Sequence, residues 1–246
     1  HLSNGAGGYY RKVLAYNSTA CNYVELPLAT DLTVTPTTLN PNKIGSSVIL
    51  NEDADVLGAL LRDNGISKFN TQFGKWYFEV QVYVPTDNHF EVGLGFGTTD
   101  ANLSEWIGAN NKTWSWWPFD STKYHGDVQG IYAQLIDVKD KDIIGVLLDM
   151  ENQRFGFSIN GAFQGWTYEG IADEKMHFLI AGRFDSWAFI NFGKFAFKYE
   201  VPEGFYHGFG AITNPPIERG TIISYFCAGV DRWVKRADGR GQRPRL

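Results

Sequence analysis

The 246-residue chain sets 22 Lys and Arg against 27 Asp and Glu, a formal charge of −5, with 43% hydrophobic and 15% aromatic residues. That balance excludes a basic field over the whole molecule of the kind that holds nucleic acid, and no run of about 18 apolar residues is present to form a membrane-spanning helix. Phe (18), Tyr (12), Trp (8) and Gly (27) together favour strands joined by tight turns over helix packing, and a chain of this length buries a sizeable core without staples.

Residues 1–38 are rich in Asn, Thr, Ser and Gly and carry two apolar alternations, Tyr23-Val24-Glu25-Leu26 and Leu32-Thr33-Val34. They read as an N-terminal arm with one or two strands. The opening His1-Leu2-Ser3-Asn4-Gly5 has neither an initiator Met nor the layout of a signal peptide, which reads as a processed product or a piece of a longer polypeptide.

From Leu39 to Asn214 short strand-like runs recur with turn residues between them. Ser46–Leu50 leads into an acidic turn. Ala54–Arg62 is the one stretch with a helical apolar face, but Gly58 weakens it and it reads as a strand with a loop. Gly74–Val84 alternates and stops at Pro85, which cannot donate to a ladder. In Phe90–Gly97 glycine recurs at every second position, the spacing expected where another sheet or an aromatic ring packs close. Ile143–Asp149 is a continuous apolar run, as in a strand buried on both faces. Met150–Gln153 supplies a turn, Arg154–Ile159 alternates, and Asn160-Gly161 is a hairpin-turn dipeptide. Phe178–Ala181 and Trp187–Gly193 complete the series. Residues 215–246 form a C-terminal extension whose end, 231–246, holds six basic residues against two acids and reads as a tail.

Five of these segments, in order, resemble the SPRY domain: Gly74-Lys75-Trp76-Tyr77-Phe78-Glu79-Val80, Glu91-Val92-Gly93-Leu94-Gly95-Phe96, Asp142–Asp149, Phe155–Gly161 and Pro202-Glu203-Gly204-Phe205. The resemblance covers about Leu39–Asn214 and implies an all-β fold, a concanavalin A-like sandwich of two antiparallel sheets used for recognition. The opening Leu39–Lys43 and the ending through Asn214-Pro215-Pro216 are similar to SPRY-like modules of bacteriophage virion and tail proteins, which implies a virion or extracellular setting.

In that family one end of the sandwich, built from loops, does the binding. Mapped by order, the loops are Thr86–His89, Lys112–Asp127 and Arg183–Trp187, with Asn88, His89, Asn111, Trp114, Trp116, Trp117, Tyr124, Arg183, Asp185 and Trp187 as candidate ligand-binding residues. The Trp114-Ser115-Trp116-Trp117 cluster has two readings, a stacking platform for a sugar or protein and a plug at one end of the sandwich. Alternation sets Trp114 and Trp116 on one side and Trp117 on the other, with at least one indole in the core and at least one partly exposed.

Asp149 and Glu151 invite comparison with laminarinase-type glycosidases of the same sandwich, but Leu147 occupies the position of their nucleophile and Glu151 falls in a turn. His1, His89, His125, His177 and His207 lack metal-ligand spacing, no calcium loop is present, and no cofactor is implied. Cys21 and Cys227 belong to no CxxC pair and read as separate thiols, with a bridge between the chain ends as the alternative. The leading expectation is a non-catalytic recognition module of a virus particle. It would bind a host-surface glycan or protein through its end loops and sister virion proteins through arm and tail. A purely structural capsid or tail part and a divergent glycan-cleaving enzyme are the alternatives.

Overall fold

The structure, a computed structural model, describes residues 33–59, 63–84, 91–132, 138–184 and 186–213, together with the backbone of three further strands. In chain order the strands are β1 (Thr33–Pro36), β2 (Leu39–Ile44), β3 (Val48–Leu50), β4 (Val56–Ala59), β5 (Asp63–Thr71), β6 (Lys75–Tyr83) and β7 (Glu91–Thr98). The middle of the chain gives β8 (Thr113–Trp117), β9 (Thr122–His125), β10 (Val128–Ile131), β11 (Ile143–Asp149), β12 (Arg154–Ile159) and β13 (Ala162–Glu169). There follow β14 (Met176–Arg183), β15 (Ser186–Asn191), β16 (Tyr206–His207), β17 (Gly210–Thr213), β18 (Ile223–Cys227), β19 (Val230–Lys235) and β20 (Gly241–Gln242).

Val34–Ala211 form one compact unit. It is an antiparallel sandwich of a seven-stranded sheet, in the order β10-β9-β8-β7-β14-β5-β2, and a second sheet in the order β13-β12-β11-β6-β15-β4-β3. The short β16 runs parallel to β6 at Trp76 and Tyr77. β1 and β17 make a two-stranded ribbon. The all-β fold expected from the sequence is the one found.

Alternation builds the core between the sheets. Phe78 meets Phe178 at 4.9 Å and Phe209 at 5.3 Å, and Phe96 meets Phe155 at 5.0 Å. Edge-to-face and tilted contacts of this kind add to the burial itself. The described part of Ala54–Arg62 contains β4 and no helix, since Val56–Ala59 pairs with β15 and Leu57–Ala59 with β3.

The second sheet is covered on its outer face too, which explains the unbroken apolar run of β11. Leu147 sits there with Tyr77 and Phe205, under Phe197 and Val201. The buried Glu79 carboxylate pins that covering segment, accepting bonds from the Lys198 amide at 2.8 Å and the Tyr199 amide at 2.9 Å. At the far end of β12, Asn160 and Gly161 adopt φ of 48° and 84°, the left-handed pair that a two-residue hairpin turn needs.

His1–Thr33 and Ile212–Leu246 make up the second unit. Its described part beyond the sandwich is a three-stranded sheet, β18-β19-β20. The expected basic tail therefore contributes β19 and β20, with Trp233 paired to Tyr225 and Val234 to Ser224 of β18, and Val234 to Gln242 of β20. The arm alternation at Tyr23–Leu26 and Cys21 lie outside the described residues.

Candidate functional site

One end of the sandwich is set by the register. β6 ends there at Tyr83, opposite Trp187 near the start of β15, and β14 ends there at Arg183, opposite Glu91 at the start of β7. β8 ends and β9 begins at the same end, with Trp117 opposite Thr122 and the turn 118–121 between them. The two sheets are joined here, since the Ser186 hydroxyl accepts a bond from the Glu91 amide at 3.1 Å and donates one to the Arg183 carbonyl.

Large aromatic side chains lie at this end on both sheets of the sandwich. Phe119, in the β8–β9 turn, is 42% exposed and meets the edge of Trp117 at 6.5 Å. Phe184 is 40% exposed, with the Arg183 guanidinium 4.1 Å from its ring centre and an ion pair from Arg183 to Glu91 at 3.5 Å. Its φ of 56° is left-handed, an outlier for a bulky residue. Tyr83 and Trp187 are cross-strand neighbours on the outer face of the second sheet, and the Trp187 ring lies so close over Gly58 that a Cβ there would stand 2.7 Å away. Asp140 and Asp142 brace the adjoining loops, accepting bonds from the Val84 amide at 3.1 Å and the Asn160 side chain at 2.9 Å.

The structure thus places two of the sequence candidates, Arg183 and Trp187, at this end. Asn88, His89 and Asp185 lie outside the described residues. The other five are placed differently from expectation. Trp114, Trp116 and Trp117 are not on a polar loop but on β8, and none is more than 7% exposed. The expected alternation holds. Trp116 faces the core, at 4.7 Å from Phe157, while Trp117 faces outward.

Trp117 is nonetheless buried, because the segment 99–112 folds across that face and supplies Leu103, Trp106 and Ile107. Its indole N–H donates to the Ser115 hydroxyl at 3.1 Å. The expected partial exposure of one indole therefore fails, and with it the sugar-stacking platform. Tyr124 belongs to the same cover, edge-on to Trp106 at 4.8 Å.

Asn111 lies at the opposite end, beside the β9–β10 turn at Gly126. Next to it Lys112 stands between Asp100 (3.4 Å) and Glu174 (3.6 Å), whose charges raise its pKa. Lys112–Asp127 is thus no single loop but a hairpin running the length of the sheet, and only its 118–121 turn reaches the rim. Sequence reasoning missed Tyr83, and it included Phe119 and Phe184 within its candidate loops without singling them out. The Pro118-Phe119-Asp120 turn signal between two strand-like runs could have found Phe119.

Asp149 has no free face for catalysis. Its carboxylate accepts from the Asn152 side chain at 2.7 Å and from Arg154 Nε at 3.1 Å, and it closes the β11–β12 turn.

Such an architecture, two packed antiparallel sheets, defines a concanavalin A-like sandwich. Residues 75–195 match the SPRY domain family. The SPRY domain of human HERC1 is similar in structure, with a TM-score of 0.55 and 13% identity over 64% of this chain and 99% of that one. The TRIM65 PSpry domain gives a TM-score of 0.52 at 15% identity, covering 63% of this chain and 91% of that one. Stonustoxin gives 0.52 at 14% identity, covering 63% of this chain but only 27% of that one. A comparison with curated proteins finds no match. At these identities the structural likeness speaks to the fold alone.

Proposed function

We propose that the chain is a non-catalytic recognition module that binds a protein partner through the rim formed by Tyr83, Phe119, Arg183, Phe184 and Trp187. Phe184 carries the reading. Its backbone is held in the left-handed region while its ring stays 40% exposed under the Arg183 guanidinium. A left-handed backbone at a non-glycine residue costs on the order of 1–3 kcal/mol, and such strain clusters at binding sites. Aromatic side chains with an adjacent Arg are also the residue types that anchor protein interfaces. The SPRY match supports the same class of partner.

The glycan reading loses its platform with the burial of Trp114, Trp116 and Trp117. A virion setting draws no support from the three similar structures, none of which is of a phage protein.

Panning a peptide-display library against the full chain tests the proposal. Selected binders should lose at least tenfold in affinity against a Phe119→Ala, Phe184→Ala double variant whose thermal unfolding is little changed. Binders that ignore both substitutions, or binding on a glycan array that depends on them, would overturn it.

A further inference from the structure

Among the described residues the sandwich has four edge strands, and three of them are blunted. β2 contains Pro41 and Lys43 and breaks register between Leu39 and Ile44. β13 shifts register twice near Gly156 of its partner and ends on Glu169. β3 is three residues long and runs into Asn51-Glu52-Asp53. Proline, charge, bulges and shortness are the devices that keep an exposed edge from pairing with another chain.

β10, with the sequence Val128-Gln129-Gly130-Ile131, has no charge, no proline and an unbroken register with β9. Val128 is 71% exposed and Ile131 69%.

The orientation of its backbone follows from the turn that precedes it. Gly126 and Asp127 have φ of 60° and 62°, a two-residue type I′ turn, so Val128 and His125 form a hydrogen-bonded pair. Alternation then gives Gly130 the same relation to Lys123, and the Tyr132 amide continues it by donating to the Ser121 carbonyl at 2.9 Å. The N–H and C=O groups of Gln129 and Ile131 therefore point away from β9. Among the described residues no strand lies on that side. The turn itself is fixed from behind, because the Gly126 and Asp127 amides donate to the Asn110 and Gly108 carbonyls at 3.1 and 3.0 Å.

We infer that β10 is an open docking edge, which takes an extended segment of a partner protein as an added strand. Gln129 and Ile131 supply two donors and two acceptors, and Ile131 supplies an apolar contact for alternate side chains of the incoming strand. An extended segment fits better than a second copy. Four residues span about 13 Å, an edge too small to supply the roughly 800 Å² per partner of a stable dimer. The strand also leads to the rim, since Tyr132 is bonded to Ser121 in the turn that carries Phe119. The inference rests on the reading of the chain as a protein-binding module and names the form of part of its partner.

Capped ten-residue peptides of alternating Val and Thr, Ile and Lys, or Tyr and Thr are the probe, added to the full chain. At least one should slow hydrogen exchange at the Gln129 and Ile131 amides tenfold or more. That effect should vanish when every second peptide amide is N-methylated, and in a Gln129→Pro variant. It should survive Phe184→Ala, so failure at the edge and failure at the rim are told apart. If Gln129→Pro does not fold, the N-methylated peptides on the unaltered chain still decide. The inference is overturned if no peptide protects these two amides or if N-methylation makes no difference. A dimer of the unaltered chain that Ile131→Lys abolishes would overturn it in favour of self-pairing.

Discussion

The indole of Trp117 covers Gly93, so that a Cβ added at Gly93 would stand 2.9 Å from two of its ring atoms. Trp117 is itself held by Ile107 and Leu179, so the ring has nowhere to move. Gly93→Ala should therefore overpack this outer cluster and cost about 1–3 kcal/mol. Gly130→Ala is the contrast. Its methyl would meet the flexible end of Lys123 at 3.3 Å, and the change should stay within about 0.5 kcal/mol. Urea unfolding of the two variants checks this, and equal losses would contradict it.

Glu79 should tie the segment 196–205 to the sheet. Its buried carboxylate accepts from two backbone amides, Lys198 and Tyr199, and from the Tyr77 hydroxyl at 3.0 Å. Burial first, and then the adjacent Glu79 charge, raise the Tyr77 pKa well above its ordinary value, so the phenol stays a donor to that carboxylate. Glu79→Ala removes an acceptor from three donors, and hydrogen bonds to a charged group contribute about 1.5–3 kcal/mol each when lost singly. The expected result is a destabilised protein in which exchange at the Lys198 and Tyr199 amides speeds up more than at the core strands β6 and β11. Uniform acceleration would mean that the segment is held by Phe197, Val201 and Phe205 alone.

Asp149 likewise contributes to stability. It is fully buried, is bonded to Asn152 and Arg154, and lies 3.8 Å from Lys75. Arg154 and Lys75 are partly solvated, which moderates the loss, so Asp149→Asn should cost about 1–3 kcal/mol. The effect belongs to stability and should be read by denaturation. Sugar release from a polysaccharide that disappears in Asp149→Asn without loss of stability would reverse the assignment.

The scaffold was legible because its signals are local. Asn160-Gly161 specifies its own turn, the alternation of Arg154–Ile159 specifies a face, and the β7 glycines announce a close approach, to the Trp117 ring at Gly93 and to the backbone of β8 at Gly95. The burial of Trp117 was not legible. It depends on Leu103, Trp106 and Ile107 crossing a sheet face, and no periodicity records where a connection lies. The same holds for the rim. Asn111 and Arg183 looked equivalent as loop residues, but a five-residue strand, β8, carries the chain from one end of the sandwich to the other. Which end a loop occupies follows from strand pairing, a long-range property. Phe184 lay in a candidate loop but was not singled out, because its left-handed backbone has no signature in residue type.

His177 gives the structure a dependence on pH. The ring is buried on β14, with Nδ1 2.9 Å from the Ser67 carbonyl and Nε2 3.0 Å from the Asn70 amide nitrogen. The carbonyl requires the ring proton on Nδ1, which leaves Nε2 as the acceptor for Asn70. Protonation would turn that acceptor into a second donor facing an N–H. Burial, with the charge of Lys43 in addition, lowers the pKa below the ordinary 6.5, although the bond to Ser67 opposes the shift. Above pH 6.5 the ring is neutral in the folded and unfolded chain alike, and its contribution to stability is complete. As pH falls through 6.5 the unfolded chain takes up a proton that the folded ring resists, so stability declines until the folded pKa is passed. His177→Gln should be less stable at pH 7.5, where the neutral ring is lost, but should show a shallower fall in urea midpoint between pH 7 and 5. Parallel curves for the two proteins would show that His177 does not titrate differently on folding.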